Sequence, residues 1–224
     1  MAGITIDRVA KDRLADDHLA VPADADDDNA RLFVTCGKVV SEHVVEIRDD
    51  VGVVLGERAV GRVFVKGASV MQGYLNEPEA TAEALRDGWL DTGDLGYWIG
   101  DELVIVGRAK DMLIVNGRNI WPQDIEWTVE HLDGLRSGDS AAIVLSGPDG
   151  TDRPTILVQC RPSAREERAR LVAAIRTRIL ETVGIACDVV PVPPRSLPKT
   201  SSGKLARGRA KTMYLRGELA ATPE

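Results

Sequence analysis

Residues 107–126 read GRAKDMLIVNGRNIWPQDIE, and the texture of the chain changes within them. Before Lys110 lie short strand-like pieces, Leu32 to Cys36, Val44 to Arg48, Gly61 to Lys66 and Glu102 to Val106, separated by glycines and acidic turns. That spacing predicts a small antiparallel sheet or barrel-like unit. Within it PEATAEAL reads as a short helix opened by Pro78, where a missing N–H costs nothing. Met112 to Val115 is a further strand, and Pro122 then opens a helix to about Leu132 whose Ile125, Val129 and Leu132 share one face. Ala141 to Leu145 and Thr155 to Cys160 read as strands, followed by a long helix from about Ala164 to Val183. Its apolar stripe is Leu171, Val172, Ile175, Ile179 and Val183, with arginines and glutamates opposite. A strand from Asp188 to Val192, a proline-rich turn and a helix after Lys204 complete an α+β unit. The expected fold class is therefore α+β, a β-rich subdomain over 32–109 followed by an α+β domain over 110–224, with an acidic linker over 1–31.

With 224 residues and 44% hydrophobic content, the chain is able to bury a core and is no disordered tail. The formal charge of −7 supplies none of the basic excess that draws proteins to nucleic acid or anionic membranes. Charge is nevertheless unevenly placed. Acids dominate from Asp7 to Asp28, whereas Arg195 to Arg216 carries Lys199, Lys204, Arg207, Arg209 and Lys211 with no acid among them. That asymmetry fits either a nucleic-acid tail or a site for an anionic substrate. Residues 1 to 30, with the run ADADDDNA, have the composition of an exposed connecting segment, and no order is expected there without a partner surface. Cys36, Cys160 and Cys187 have no metal-ligand spacing and read as buried thiols in a reducing cytoplasm. No segment approaches the roughly 20 apolar residues that span a bilayer, and the N-terminus has no signal-like apolar core, so a cytoplasmic protein is expected.

Three blocks carry chemistry: DGWLDTGDLG at 87–96, the opening stretch, and LPKTSSGKLAR at 197–207. Singly, DTGD reads as a turn, GRAKD as a charged loop between strands and SSGK as a flexible linker with a solvated lysine. In this order they resemble the adenylate-forming superfamily of acyl-CoA synthetases, peptide-synthetase adenylation domains and luciferases, from about Val34 to Leu215. NGRNIWPQDIE is most similar to the fatty-acyl-AMP ligases, because many acyl-CoA ligases carry a GEN-type loop at that place. The resemblance implies a β-rich end of a large domain followed by a mobile C-terminal lid.

Adenylation needs a grip on the ATP ribose and positive charge where negative charge accumulates at the α-phosphorus. An ionised carboxylate such as Asp94 accepts from two adjacent ribose hydroxyls at once, and Gly93 permits close backbone approach. The resemblance implies that Asp94 is the ribose ligand and that Arg108, with its fixed fork of donors, assists it. It further implies that Lys110 is the hinge of the lid and that Lys204 is the catalytic lysine between substrate carboxylate and α-phosphate. The loop around Gly117, Arg118 and Asn119 would face the phosphopantetheine thiol after the lid turns, although turn formation explains Arg118 and Asn119 as well. Trp121 reads as a packing residue at a helix start.

The Ser/Thr/Gly-rich phosphate loop of the family, and its Thr-Glu pair for magnesium, do not occur upstream of DTGD, and TSSGK fails the Walker spacing. ATP and Mg2+ are therefore expected to bind mainly through a missing N-terminal adenylation domain, with no metal ligand assigned here. The implied reaction is fatty acid plus ATP giving acyl-AMP, then transfer to an acyl carrier protein, with the isolated segment inactive. An acyl-CoA ligase segment using CoA and a non-catalytic lid that binds a carrier or partner are the alternatives; nucleic-acid binding by the basic stretch is the weakest.

Overall fold

The computed structural model describes residues 4–27, 30–115, 118–146, 151–160 and 165–219. They gather into two units, Met1–Lys110 and Asp111–Glu224. The first contains β1 (Ile6–Val9), α1 (Lys11–Asp16), β2 (Arg31–Val34), β3 (Gly37–Lys38), β4 (His43–Arg48), β5 (Gly61–Gly67), α2 (Pro78–Ala84), β6 (Leu85–Arg86), β7 (Trp89–Ile99) and β8 (Glu102–Arg108). One antiparallel sheet runs β3-β8-β7-β5-β4, with β6 paired to β7. Alternation along its strands sends Ile47, Val63, Val104 and Val106 into the core. Of the two forms the spacing allows, this is the open sheet: among the described residues its end strands β3 and β4 do not pair, and β3 is only two residues long. A two-residue strand offers no ladder with which to close a barrel.

Residues 4–27 are more structured than their composition predicts. β1 pairs antiparallel with β2, Ile6 opposite Val34, and Val9, Leu14 and Ala20 are buried. Backbone bonds such as Ala20 N–H to the Arg58 carbonyl and Val60 N–H to the His18 carbonyl hold the segment, and one carboxylate adds a side-chain anchor. Asp7 accepts from Arg58 Nη1 and Nη2 at 3.2 and 3.1 Å and from the Tyr97 hydroxyl at 2.7 Å. Arg58 also donates to the Ala20 carbonyl at 2.7 Å, so one guanidinium holds two points of the segment. Burial, reinforced by Asp7, pushes the Tyr97 hydroxyl well above its ordinary range.

A 3₁₀ turn at Ala109–Asp111 precedes the remaining elements, β9 (Leu113–Val115), β10 (Arg118–Ile120), α3 (Pro122–Glu130), β11 (Ser140–Ser146), β12 (Asp152–Gln159), α4 (Arg165–Thr182), β13 (Asp188–Val192) and α5 (Arg207–Leu215). The second unit is a three-stranded sheet, β11-β12-β13, with β12 and β13 parallel through the α4 crossover. Strand alternation divides its core in two. Ala142, Ile156 and Val158 meet Ile125 and Val129 of α3 and Ile175 and Ile179 of α4. On the other side Ala141, Ile143 and Leu157 meet Leu197, Ala210 of α5 and Leu219. The expected stripe of α4 is the one that packs, with Leu171 and Val172 only partly covered.

Of the three cysteines, Cys160 is buried and Cys187 partly so, but Cys36 is exposed, contrary to the reading of all three as buried. It lies just past β2, where its N–H bonds the Leu103 carbonyl and its side chain is left outside the core. Burial pushes the Cys187 thiol up to about 11, which keeps it protonated at neutral pH. Among the described residues, no helix is long and apolar enough to cross a membrane.

Removing the anchor of the N-terminal segment tests its role. Asp7→Ala leaves Arg58 and the Tyr97 hydroxyl without their shared acceptor, and is expected to cost about 1.5–3 kcal/mol. Urea unfolding checks this, and a midpoint equal to that of the parent chain would show that the segment contributes nothing to stability.

Candidate functional site

β7 carries Asp94 within a break in the ladder rather than in the free turn that DTGD suggests. Opposite β5, Asp91 pairs with Phe64 and Leu95 with Arg62, so Thr92, Gly93 and Asp94 together face Val63 alone. The extra residues are held by side chains. Thr92 Oγ1 donates to the Val63 carbonyl at 2.9 Å, Asp91 Oδ1 accepts from the Gly93 N–H at 2.9 Å, and Thr92 Oγ1 accepts from the Asp94 N–H at 3.1 Å. Gly93 has φ +72°, a left-handed conformation, and a Cβ there would meet nothing within 4 Å. Glycine is thus required by backbone angle, and the space above it is open to an approaching ligand. Asp91 is itself fixed by Arg62, whose Nη2 lies 2.6 Å from Oδ2.

Across β7 and β8, Asp94 is the register partner of Arg108, and Arg108 Nε sits 3.1 Å from Asp94 Oδ1. Both side chains retain access to solvent, at 28% and 53% exposure, which leaves the pair reachable by a ligand. The arrangement offers an oriented carboxylate acceptor beside a guanidinium donor, on a rigid bulge next to an open glycine. That donor set suits vicinal hydroxyls.

Lys110 is exposed and central in the 3₁₀ turn at which the two units divide. In the second unit Arg118 pairs with Val115 and Asn119 with Ile114 in the β9–β10 hairpin, whereas Gly117 lies outside the described residues. Trp121 is buried at the start of α3, as its packing role predicts.

Lys204 is exposed at the end of a closed turn, not on the flexible linker expected from SSGK. Thr200 N–H donates to the Lys204 carbonyl at 2.7 Å, Lys204 N–H to Thr200 Oγ1 at 3.1 Å, and Gly203 N–H to the Thr200 carbonyl at 2.9 Å. Lys199 and Leu205 bridge below it, and Ala206 N–H reaches the Pro198 carbonyl at 3.0 Å. The backbone around the lysine is therefore set. Its four-carbon stem alone provides reach.

Three residues beyond, Arg207 makes contacts that spacing did not disclose. Its Nε and Nη2 donate to Glu126 Oε1 and Oε2 at 2.7 and 2.6 Å, and its Nη1 to Asp111 Oδ2 at 3.2 Å. Glu126 Oε1 also accepts from the Ala142 N–H at 3.0 Å. Burial pushes the Glu126 carboxyl up, while Arg207 and the Ala142 N–H pull it back. One signal was present in the sequence: Glu126 shares the buried face of α3 with Pro122, Ile125 and Val129, and a carboxylate there demands a partner.

Among the described residues, no group of three or more His, Cys, Asp or Glu side chains is gathered as a metal site requires.

Residues 110–224 match the model of the Disco-interacting protein 2-like AMP domain. The chain belongs to the adenylate-forming superfamily. Within that superfamily it corresponds to a C-terminal part. A Caulobacter vibrioides protein with the provisional name acyl-CoA synthetase is 48% identical over 217 residues, 96% of this chain and 38% of the relative. A structure from work on fatty acyl-adenylate ligases of E. coli and L. pneumophila superposes with a TM-score of 0.86 at 39% identity, over 98% of this chain and 39% of that one. McyG A-PCP complexed with phenylalanyl-adenylate gives 0.75 at 34% identity, over 84% of this chain and 34% of the other. The adenylate-forming segment thus spans about two fifths of the length of the relatives it matches.

The bulge has a direct test. Gly93→Ala forces a Cβ into the left-handed region at φ +72° and is expected to lower stability by about 1–2 kcal/mol. Gly93→Asn should lose less, because asparagine tolerates that region. Equal unfolding midpoints for glycine and alanine by chemical denaturation would contradict the bulge geometry.

Proposed function

We propose that the chain is the C-terminal segment of an ATP-dependent fatty-acyl-AMP ligase, with residues 110–224 as its mobile lid and Lys110 as the hinge. The observation that carries this reading is the Asp94–Arg108 pair on its bulge, in a chain 39% identical to a fatty acyl-adenylate ligase. Asp94 holds the ribose hydroxyls of ATP, and Arg108 keeps that carboxylate oriented and adds donors beside it. In the first reaction a fatty-acid carboxylate oxygen bonds to the α-phosphorus, the bond from that phosphorus to the bridging oxygen breaks, and pyrophosphate leaves. Lys204 places an ammonium between carboxylate and α-phosphate, offsetting charge as it develops. Magnesium, which accompanies the ATP triphosphate, is held by residues outside this segment.

In the second reaction a thiol attacks the acyl carbonyl and AMP leaves. The lid has by then turned about Lys110, removing Lys204 and presenting the β9–β10 hairpin, with Gly117, Arg118 and Asn119, to a phosphopantetheine arm. The thiol belongs to an acyl carrier protein in this reading, and the reaction is cytoplasmic. A relative solved as an A-PCP unit supports a carrier as the acceptor. Free CoA is the second reading, favoured by the 48% identity to the Caulobacter protein that bears an acyl-CoA synthetase name.

Fatty-acid-dependent exchange of labelled pyrophosphate into ATP tests the first step. The 224-residue chain alone should give none, and the complete ligase should give exchange that Lys204→Ala slows by ~10²–10³. Exchange by the isolated chain, or a Lys204→Ala rate within a few-fold of the parent, would overturn the assignment. The acceptor is decided separately. Thioester yield from acyl-AMP is expected to be greater with a phosphopantetheinylated carrier than with CoA, and the opposite ratio establishes the CoA reading.

A further inference from the structure

Arg207 begins α5 in a place where helix electrostatics oppose it. The N-terminal turn of a helix carries partial positive charge and favours acids, at about 0.3–1 kcal/mol per group. This turn has no acid, and Ala206 provides no side-chain cap. The guanidinium is instead drawn inward, 17% exposed, against Glu126 at 9% and Asp111 at 23%. Both oxygens of Glu126 are engaged, giving the two-pronged geometry that only arginine supplies. A buried ion pair of this kind is a poor stability device, because apolar residues of similar volume commonly do as well or better. Its directional geometry is what an apolar substitute lacks.

That geometry is aimed at the turn bearing Lys204. The segment 198–206 is closed on itself by the Lys199–Leu205 bridge and the Ala206 to Pro198 bond. Its two ends are both tied down. Leu197 is buried and its N–H reaches Gln159 Oε1 at 3.4 Å, while Arg207 fixes the other end to α3. The third contact, to Asp111, connects this end to the residue that follows Lys110. We infer that Arg207 is a positioning residue for Lys204: its clamp on Glu126 and Asp111 makes the lysine turn move as one body with the start of the lid. This rests on the reading of Lys204 given above. A clamp of this design transmits rotation at the hinge to the lysine without slack, and a misplacement of about 1 Å is enough to cost on the order of 10²-fold in rate.

The test uses the complete ligase and separates the two half-reactions. Arg207→Met should slow acyl-adenylate formation by roughly 10–100-fold, with the KM for ATP unchanged. Thioester formation from supplied acyl-AMP, which does not use Lys204, should remain at the parental rate. The decisive variant combines Lys204→Ala with Arg207→Met. If Arg207 acts only through the lysine, the double variant is no slower than Lys204→Ala alone. Multiplicative losses in the double variant, or equal falls in both half-reactions, would overturn the proposal and leave Arg207 a structural residue. Should Arg207→Met fail to fold by circular dichroism, Glu126→Leu with Arg207→Met removes both charges and gives the same readouts in a packed core. The underlying reading is tested independently, since Lys204→Ala with near-parental adenylation removes the lysine's role whatever Arg207 does.

Discussion

Placing Glu126 on the inner face of α3 constrains much of what surrounds it. An ionised carboxylate taken out of water costs several kcal/mol unless its oxygens are met. Here Oε1 is met by Arg207 Nε and the Ala142 N–H, and Oε2 by Arg207 Nη2. These partners come from β11 and α5, so the bonds to Glu126 orient α3, the sheet edge and the last helix relative to one another. Glu130, one turn further on, extends the same network by accepting from the Gly138 N–H and the Ser140 hydroxyl. The apolar cores on the two sides of the sheet provide the driving force for collapse. They do not by themselves choose the rotation of α5 about its axis, and the directional bonds to Glu126 do.

The first unit solves a related problem with short-range hydrogen bonds from neighbouring side chains. Inserting Thr92, Gly93 and Asp94 opposite a single β5 residue leaves backbone groups without ladder partners. Thr92 and Asp91 repair this locally, each supplying an oxygen to an N–H two residues on. These bonds hold the bulge in place, with Gly93 taking the left-handed angle and Asp94 partly exposed.

Periodic elements were legible in the sequence because burial itself is periodic. Ile125 and Val129 of α3, Ile175 and Ile179 of α4, and the strand Asp188–Val192 all fall where alternation or helical spacing places them. What escaped was determined by pairs distant along the chain. Asp7 lies 51 residues from Arg58, and Glu126 lies 81 from Arg207, and no local pattern encodes such partners. The acidic composition of the N-terminal stretch consequently suggests a linker, whereas residues 4–27 are tied down by strand pairing and by Asp7. DTGD reads as a turn yet lies in a bulge, since Asp, Thr and Gly carry the same turn chemistry in both. Lys204 illustrates the reverse: its prominence was evident, yet the bonds from Thr200 that close its turn use ordinary loop residues.

Local order within each unit bears on the proposed reading. Asp94 is held in a bonded bulge and Lys204 in a closed turn with clamped ends, so on that reading neither would reach a substrate by local loosening. In the proposed reading, the freedom needed to bring the lysine to the α-phosphate and later withdraw it must therefore lie between the units. The 3₁₀ turn Ala109–Asp111 is short enough to absorb a change of a few backbone angles while everything beyond it moves unchanged. Placing one contact of the Arg207 clamp on Asp111, the last residue of that turn, gives the rotation a defined point of attachment. Internal stiffness and external mobility are then two aspects of one design, because a hinge can direct a side chain only as accurately as the body it turns is rigid.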